Sequence, residues 1–221
     1  FHTLAYLRAT GKMNCLWAVF NRALDEVKSA SAEQQAELAR TKALPARIAL
    51  VQAAAEAYTH LLGTVSTYGE LGTVCNLEAH TFPAMLDKPA EELEKLLGGP
   101  LPTEACMPTV YSGPLRIIVP AIRTSRRPGE PLRLEVLTLS REPIADVVLN
   151  WRVMGEGKYT AEKFSPVARG VYQGVFAPFP GDADIEYYID VTHAGSHRAV
   201  WPVTAPTRGQ TVIVHPEAQQ E

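Results

Sequence analysis

Glu70, Glu78 and His80 are the densest group of potentially reactive side chains in the first half of the chain. Two carboxylates can serve as acid and base in glycoside cleavage. Glu70 and Glu78 stand eight residues apart. On one continuous helix that spacing puts them on the same side, about 12 Å apart. Glycosidase carboxylates sit closer than that, whether the enzyme retains or inverts. Capping, a salt bridge or a solvated helix face accounts for the group better. Adding His60 produces no recognised zinc-ligand spacing, so no metal site is expected.

The aromatic residues of the second half offer a different chemistry. An aromatic face can stack on a sugar ring with large contact area and little loss of side-chain freedom. Trp151 shares parity with Val147, Leu149 and Val153, which assigns it to a core. Tyr187 alternates in the same way with Ile185, Ile189 and Val191. Tyr188 falls on the other parity, with Glu186 and Asp190, and is the better candidate for an exposed platform. Trp201, before Pro202, suits a core or interdomain position better than a ligand-facing one, without excluding the latter. Tyr188 and Trp201 are therefore the candidate carbohydrate-binding residues.

Asp182, Asp184, Glu186 and Asp190 form an acidic stretch. Calcium uses such carboxylates, but no EF-hand spacing is present. A solvated acidic edge that deters strand-to-strand pairing is the better reading. Arg123, Arg126 and Arg127 make a small basic loop before Pro128-Gly129 that could touch an acidic partner or simply aid solubility. His193 and His197 flank the Gly195 turn and read as turn residues. There is no GxSxG, no Walker loop, no GxGxxG before a helix and no Cys/His nucleophile arrangement. The expected catalytic set is empty, and no cofactor is implied.

Two kinds of element must position these residues. Phe1 to about Lys28 reads as a helix, with Met13, Leu16, Trp17, Phe20, Leu24 and Val27 on one stripe. Gly11 weakens its middle and could admit a neighbour. Ser31-Ala-Glu-Gln34 resembles a capping box. Pro45 interrupts or kinks the helix that follows. Ile48, Val51, Ala55, Tyr58, Leu62 and Val65 carry the pattern onward. Thr67–Thr73 is a turn opening a short helix through Leu77, and Pro83 stops it. Asp87 starts another helix, ended by Gly98-Gly99-Pro100. Residues 100–114 form a Pro-rich linker or strap.

Beyond the strap the period changes from 3.6 to 2. Runs at 116–120, 132–136, 147–153, 158–164, 171–176, 185–191, 198–203 and 211–214 are each bounded by Gly, Pro, Asp or Ser. About eight short strands with no helix between them predict an antiparallel sandwich.

Hydrophobic residues at 46% and charged residues at 20% allow a sizeable core over 221 residues, in one large domain or two small ones. The net charge of -3 gives no general attraction to nucleic acid or an anionic membrane. No apolar run approaches the roughly 20 residues that span a bilayer. Cys15, Cys75 and Cys106 make no CxxC pair. Cys15 and Cys75, lying in helical patterns, read as buried free thiols. The chain opens Phe1-His2-Thr3 without a Met, which reads as a piece of a longer protein or a processed product, any export signal lying upstream.

Three segments carry a resemblance: Val148-Leu-Asn-Trp-Arg-Val-Met-Gly155, Gly170-Val-Tyr-Gln-Gly-Val-Phe-Ala-Pro178 and Ile185-Glu-Tyr-Tyr-Ile-Asp-Val191. Over roughly Leu115–His215 the chain resembles the immunoglobulin-like or fibronectin-III-like sandwiches that follow catalytic domains in large bacterial polysaccharide-processing enzymes. Tyr6-Leu-Arg-Ala9, Leu16-Trp-Ala-Val-Phe20 and Gly69-Glu-Leu-Gly-Thr73 are similar to the helical segment after the barrel domain of some large glycoside hydrolases. The resemblance implies the C-terminal region of such an enzyme, secreted or periplasmic. Its partners would be the catalytic domain of the parent protein and polysaccharide. No acid/base pair can be carried onto this chain from it.

The expected fold is α+β and multi-domain. It comprises a helical segment over residues 1–99, the linker 100–114, an antiparallel immunoglobulin-like β-sandwich over 115–216 and the polar tail 217–221. The expected function is a non-catalytic C-terminal accessory region of a carbohydrate-active enzyme, supporting or orienting a catalytic domain. The alternatives are a carbohydrate-binding module, which needs exposed aromatics on one face, and a protein-interaction module or subunit, which would use the stripe of Trp17 and Phe20.

Overall fold

The computed structural model describes residues 1–176, 179, 183–194 and 197–215. Asp182, the Gly195 turn and the tail Glu217–Glu221, each singled out above, lie outside the described residues. The chain divides into two compact units, Phe1–Thr109 and Val110–Glu221. The first is helical and the second is built of mainly antiparallel sheets, the expected α+β layout. No helix among the described residues is long and apolar enough to cross a membrane.

The helical unit contains α1 (His2–Ser29), α2 (Ala32–Leu38), α3 (Leu44–Thr64), α4 (Tyr68–Asn76) and α5 (Lys88–Leu97). Helices α1 and α3 lie antiparallel: His2 meets His60 at one end, and Phe20 meets Arg47 towards the other. Ala9, Met13, Phe20, Leu24 and Val27 are the buried residues of α1. Trp17, expected in that stripe, stays 38% exposed. On α3 the buried face is Leu50, Ala54, Ala57 and Leu61, with Val51 and Val65. That face is rotated from the expected one because alanines let two helix backbones approach more closely than Tyr58 or Leu62 would. Gly63 does the job assigned to Gly11. A Cβ at Gly63 would collide with the His2 imidazole, whereas one at Gly11 meets nothing within 4 Å.

Neither internal proline ends a helix. Wide π-helical turns, Ala39–Ala43 before Pro45 and Leu77–Thr81 before Pro83, carry the helical path onward, and a third turn, Pro83–Asp87, leads into α5. A local widening removes the demand for the N–H that proline lacks. Ser31 starts α2, but its side chain makes no cap bond. The true capping box is Thr67 with Glu70, ahead of α4. Gly98 ends α5 in the left-handed region at φ 71°, and Gly99 N–H donates to Glu94 O at 3.2 Å. All three cysteines are exposed, contrary to the buried reading of Cys15 and Cys75. Cys15 falls on the face of α1 opposite its buried residues, and in α4 Val74 is the buried residue. Past α5, Leu101 and Met107 pack against the helical core and Ala105 is fully buried.

The strands of the second unit are β1 (Arg116–Ile118), β2 (Ser125–Arg126), β3 (Leu132–Leu139), β4 (Ile144–Val153), β5 (Thr160–Lys163), β6 (Ser165–Ala168), β7 (Val171–Phe176), β8 (Ile185–His193), β9 (Arg198–Trp201) and β10 (Gln210–Val214). One sheet runs β1-β3-β7-β6 and the other β2-β10-β8-β4-β5. That partition is the immunoglobulin-like one, in which the third and sixth main strands pair at the centre of the second sheet. Here those strands are β4 and β8, in register from Val147↔Val191 to Val153↔Ile185. Strands β9 and β10 share the remaining edge of β8: Trp201 pairs with Ile189, and Gln210 pairs with Tyr187. Residues 202–209 form a detour between them. Gly209 closes it, since a Cβ there would lie 2.7 Å from Tyr187 O. Leu132, Leu134, Val136, Val147, Leu149, Ile185, Tyr187, Ile189 and Val191 fill the space between the sheets.

Candidate functional site

Alternation along β4 and β8 sends every second side chain to the outer face of the second sheet. Asn150 stands opposite Tyr188, and Arg152 opposite Glu186. Arg152 Nε donates to Glu186 Oε1 at 2.6 Å. Its guanidinium lies 4.4 Å from the ring centroid of Tyr159, which the turn after β4 brings back over the sheet. Tyr159 meets Tyr188 edge to face, centroids 5.0 Å apart at 77°. The Tyr159 hydroxyl reaches Pro206 O at 3.5 Å, tying that turn to the 202–209 detour. On the other side of Tyr188, Arg198 Nε donates to Asp190 Oδ1 at 2.8 Å, and its Nη2 contacts Asp190 Oδ2. The Asp190 carboxylate holds the Arg198 guanidinium above its usual range. Burial, ahead of the nearby Glu186 charge, pushes the Tyr159 hydroxyl up.

This face corrects two expectations. Tyr188 has the expected parity, yet it is only 8% exposed because Tyr159 and the neighbouring charged side chains cover it. The acidic stretch is not a solvated edge. Strand β8 is central, and its acids are engaged: Glu186 by Arg152, Asp190 by Arg198, and Asp184 Oδ1 by Val214 N–H at 2.8 Å. The other candidate, Trp201, is half-buried against the sandwich core, 6.2 Å from the Tyr187 ring. Trp151 also packs on that core, edge-on to Phe179 at 4.6 Å, and its Nε1 donates to Glu162 at 2.7 Å. Sequence parity missed Tyr159. The available signal was the Gly155–Gly157 turn, which folds the next residues back onto the strand they leave.

The helical group separates in the same way. Glu70 accepts from Ser66 N–H at 2.6 Å, Ser66 Oγ at 2.7 Å and Thr67 N–H at 2.9 Å. Those bonds, from Ser66 first, hold its carboxyl below the usual range. Glu78 accepts the Tyr58 hydroxyl, which burial and then that carboxylate push up. His80 is exposed. His60 Nδ1 lies 3.3 Å from His2 Nδ1. No group of three or more His, Cys, Asp or Glu among the described residues is placed to hold a metal. His193 is buried beside Glu142, Nδ1 to Oε2 2.8 Å, and stacks on His197.

No protein-family model matches the chain, and no curated protein matches it. Among solved structures it is similar to a twitchin kinase fragment from C. elegans, an autoregulated protein kinase with immunoglobulin domains. The identity is 12%, over 48% of this chain and 21% of that one, with a TM-score of 0.31. The chain thus spans about a fifth of that protein's length.

Proposed function

We propose that the chain is a non-catalytic C-terminal accessory region of a carbohydrate-active enzyme, a glycoside hydrolase, working outside the cytoplasm. Its helices buttress the catalytic domain, and its sandwich orients that domain or completes its cleft. The observation that carries this reading is an uncovered apolar row at the start of α1: Phe1 is 93% exposed, Leu4 75% and Leu7 61%. Further along α1, Ala9, Met13, Phe20, Leu24 and Val27 are buried, so the row reads as a face left for another body rather than a failed core. The chemistry agrees. Of the two carboxylates that the sequence groups together, Glu70 serves a helix cap and Glu78 accepts a tyrosine hydroxyl.

The test is hydrolysis of a glycoside panel by the intact chain. The expected result is no turnover above buffer. Turnover that disappears in Glu70→Gln or Glu78→Gln would overturn the reading.

A further inference from the structure

The outer face of the second sheet holds one polar side chain that the ion pairs and ring contacts there do not engage. Asn150 sits in mid-strand on β4, between Ala161 of β5 and Tyr188 of β8. Two residues on, Arg152 stands opposite Glu186 and against the Tyr159 ring. Two residues back, Val148 lies between Lys163 and Asp190. The spacing within and between strands makes this a patch of about 10 Å by 13 Å with Asn150 at its centre.

The charged side chains around Asn150 are already matched: Arg152 with Glu186, Arg198 with Asp190 and Lys163 with Asp146. Their charges cancel, so the patch has no net pull on an ion. The Asn150 amide is half-buried and makes no hydrogen bond to a described residue. Asparagine is a poor strand former, and an amide without a partner adds nothing to the sheet. Ala161, short and exposed, leaves the β5 side of that amide open. The far wall is fixed. The Tyr159 hydroxyl reaches Pro206 O at 3.5 Å, and its ring meets Tyr188 at 5.0 Å.

An amide offers a donor and an acceptor side by side. Two adjacent sugar hydroxyls present the matching pair. An anion or a cation would meet as much repulsion as attraction among the balanced charges, whereas a neutral ring would not. We propose that this patch is a subsite for a neutral saccharide, with the Asn150 amide bridging two adjacent hydroxyls and Tyr159 walling one end. The choice of a saccharide among neutral polyols rests on the accessory-region reading above. The neighbouring side chains are held by their own contacts, so binding costs little ordering.

Affinity electrophoresis of the intact chain in gels holding galactomannan, arabinoxylan or mixed-linkage glucan tests this. A calorimetric titration with sorbitol is the arm for an acyclic polyol. The expected result is retardation by at least one of the neutral polymers that persists as salt rises, because no net charge is involved. Asn150→Ala should weaken retention about tenfold through the loss of two hydrogen bonds. Asn150→Val should abolish it while melting no earlier than the wild type, since a β-branched residue suits the strand and no internal bond is lost. Asn76→Ala, at an exposed amide on α4, leaves retention unchanged. No retardation by any of the polymers, equal retention by Asn150→Ala and the wild type, or retention that disappears with salt would overturn the subsite. So would earlier melting of both Asn150 variants, which would make the amide a structural group. Binding of sorbitol without retention by a polymer would overturn the assignment to a saccharide. The glycoside panel decides the accessory reading separately. Turnover with Asn150-dependent retention removes that reading and keeps the subsite; no turnover and no retention does the reverse.

Discussion

The Tyr187 side chain lies wholly inside the sandwich, and its hydroxyl has no hydrogen-bond partner among the described residues. A buried hydroxyl left unpaired costs about 1–3 kcal/mol. Tyr187→Phe keeps the ring between Ile185 and Ile189 and removes that cost, so equal or higher stability is expected in urea unfolding. A loss of more than about 1 kcal/mol would mean that the hydroxyl is satisfied in solution. Burial pushes this phenol far above its ordinary value. The folded state therefore holds the proton more tightly than the unfolded state does. The resulting stability is fully present below about pH 10 and is lost as pH rises beyond it. Tyr58, pushed up by burial and then by Glu78, acts in the same direction. Alkaline unfolding of Tyr187→Phe should begin at higher pH than that of the wild type. Parity along β8 was enough to separate Tyr187 from Tyr188. It could not show Tyr159 arriving over Tyr188, because that contact depends on where a turn returns the chain.

Among the helices, Arg47 joins segments far apart in sequence. It is 3% exposed, and it donates to Leu86 O at 2.8 Å and Ala105 O at 3.0 Å. Burial lowers its pKa despite nearby acidic groups. Arg47→Leu strips two buried carbonyls of their donor, at about 1–3 kcal/mol for each. Circular dichroism at the helix band should show clearly earlier melting. Arg47→Lys should recover only part of the loss, because one ammonium lacks the planar fork that spans both carbonyls. If Arg47→Leu melts with the wild type, the clamp contributes nothing. No local pattern marks this residue. Arg47 sits among apolar neighbours in α3, and its partners come from the π-turn before α5 and the segment after it. The helices themselves were legible, but their continuity through Pro45 and Pro83 was not. A π-turn that absorbs a proline leaves the apolar period nearly unchanged.

At the scale of the whole molecule, the helical unit and the sandwich each close a core of their own. All the cysteines precede residue 110, so no disulfide ties the sandwich. A fragment spanning Val110–Glu221 is expected to fold alone and keep near-ultraviolet signals from Trp151 and Trp201, in reducing buffer as in oxidising buffer. A fragment that showed neither those signals nor cooperative unfolding would mean that the sandwich depends on the helices. The change of period from 3.6 to 2, eight of the ten strands among the described residues (all but β2 and β6) and the core parity of β4 and β8 were determined by the sequence alone. Each follows from neighbours a few residues apart, which the chain carries wherever it folds. The tertiary structure alone decided which face of α3 is buried, that β8 is a central strand, that Tyr188 is covered, and that Arg123, Arg126, Arg127 and His215 share one cleft. Those outcomes depend on residues brought together from distant parts of the chain, and no local period records which distant segment will arrive.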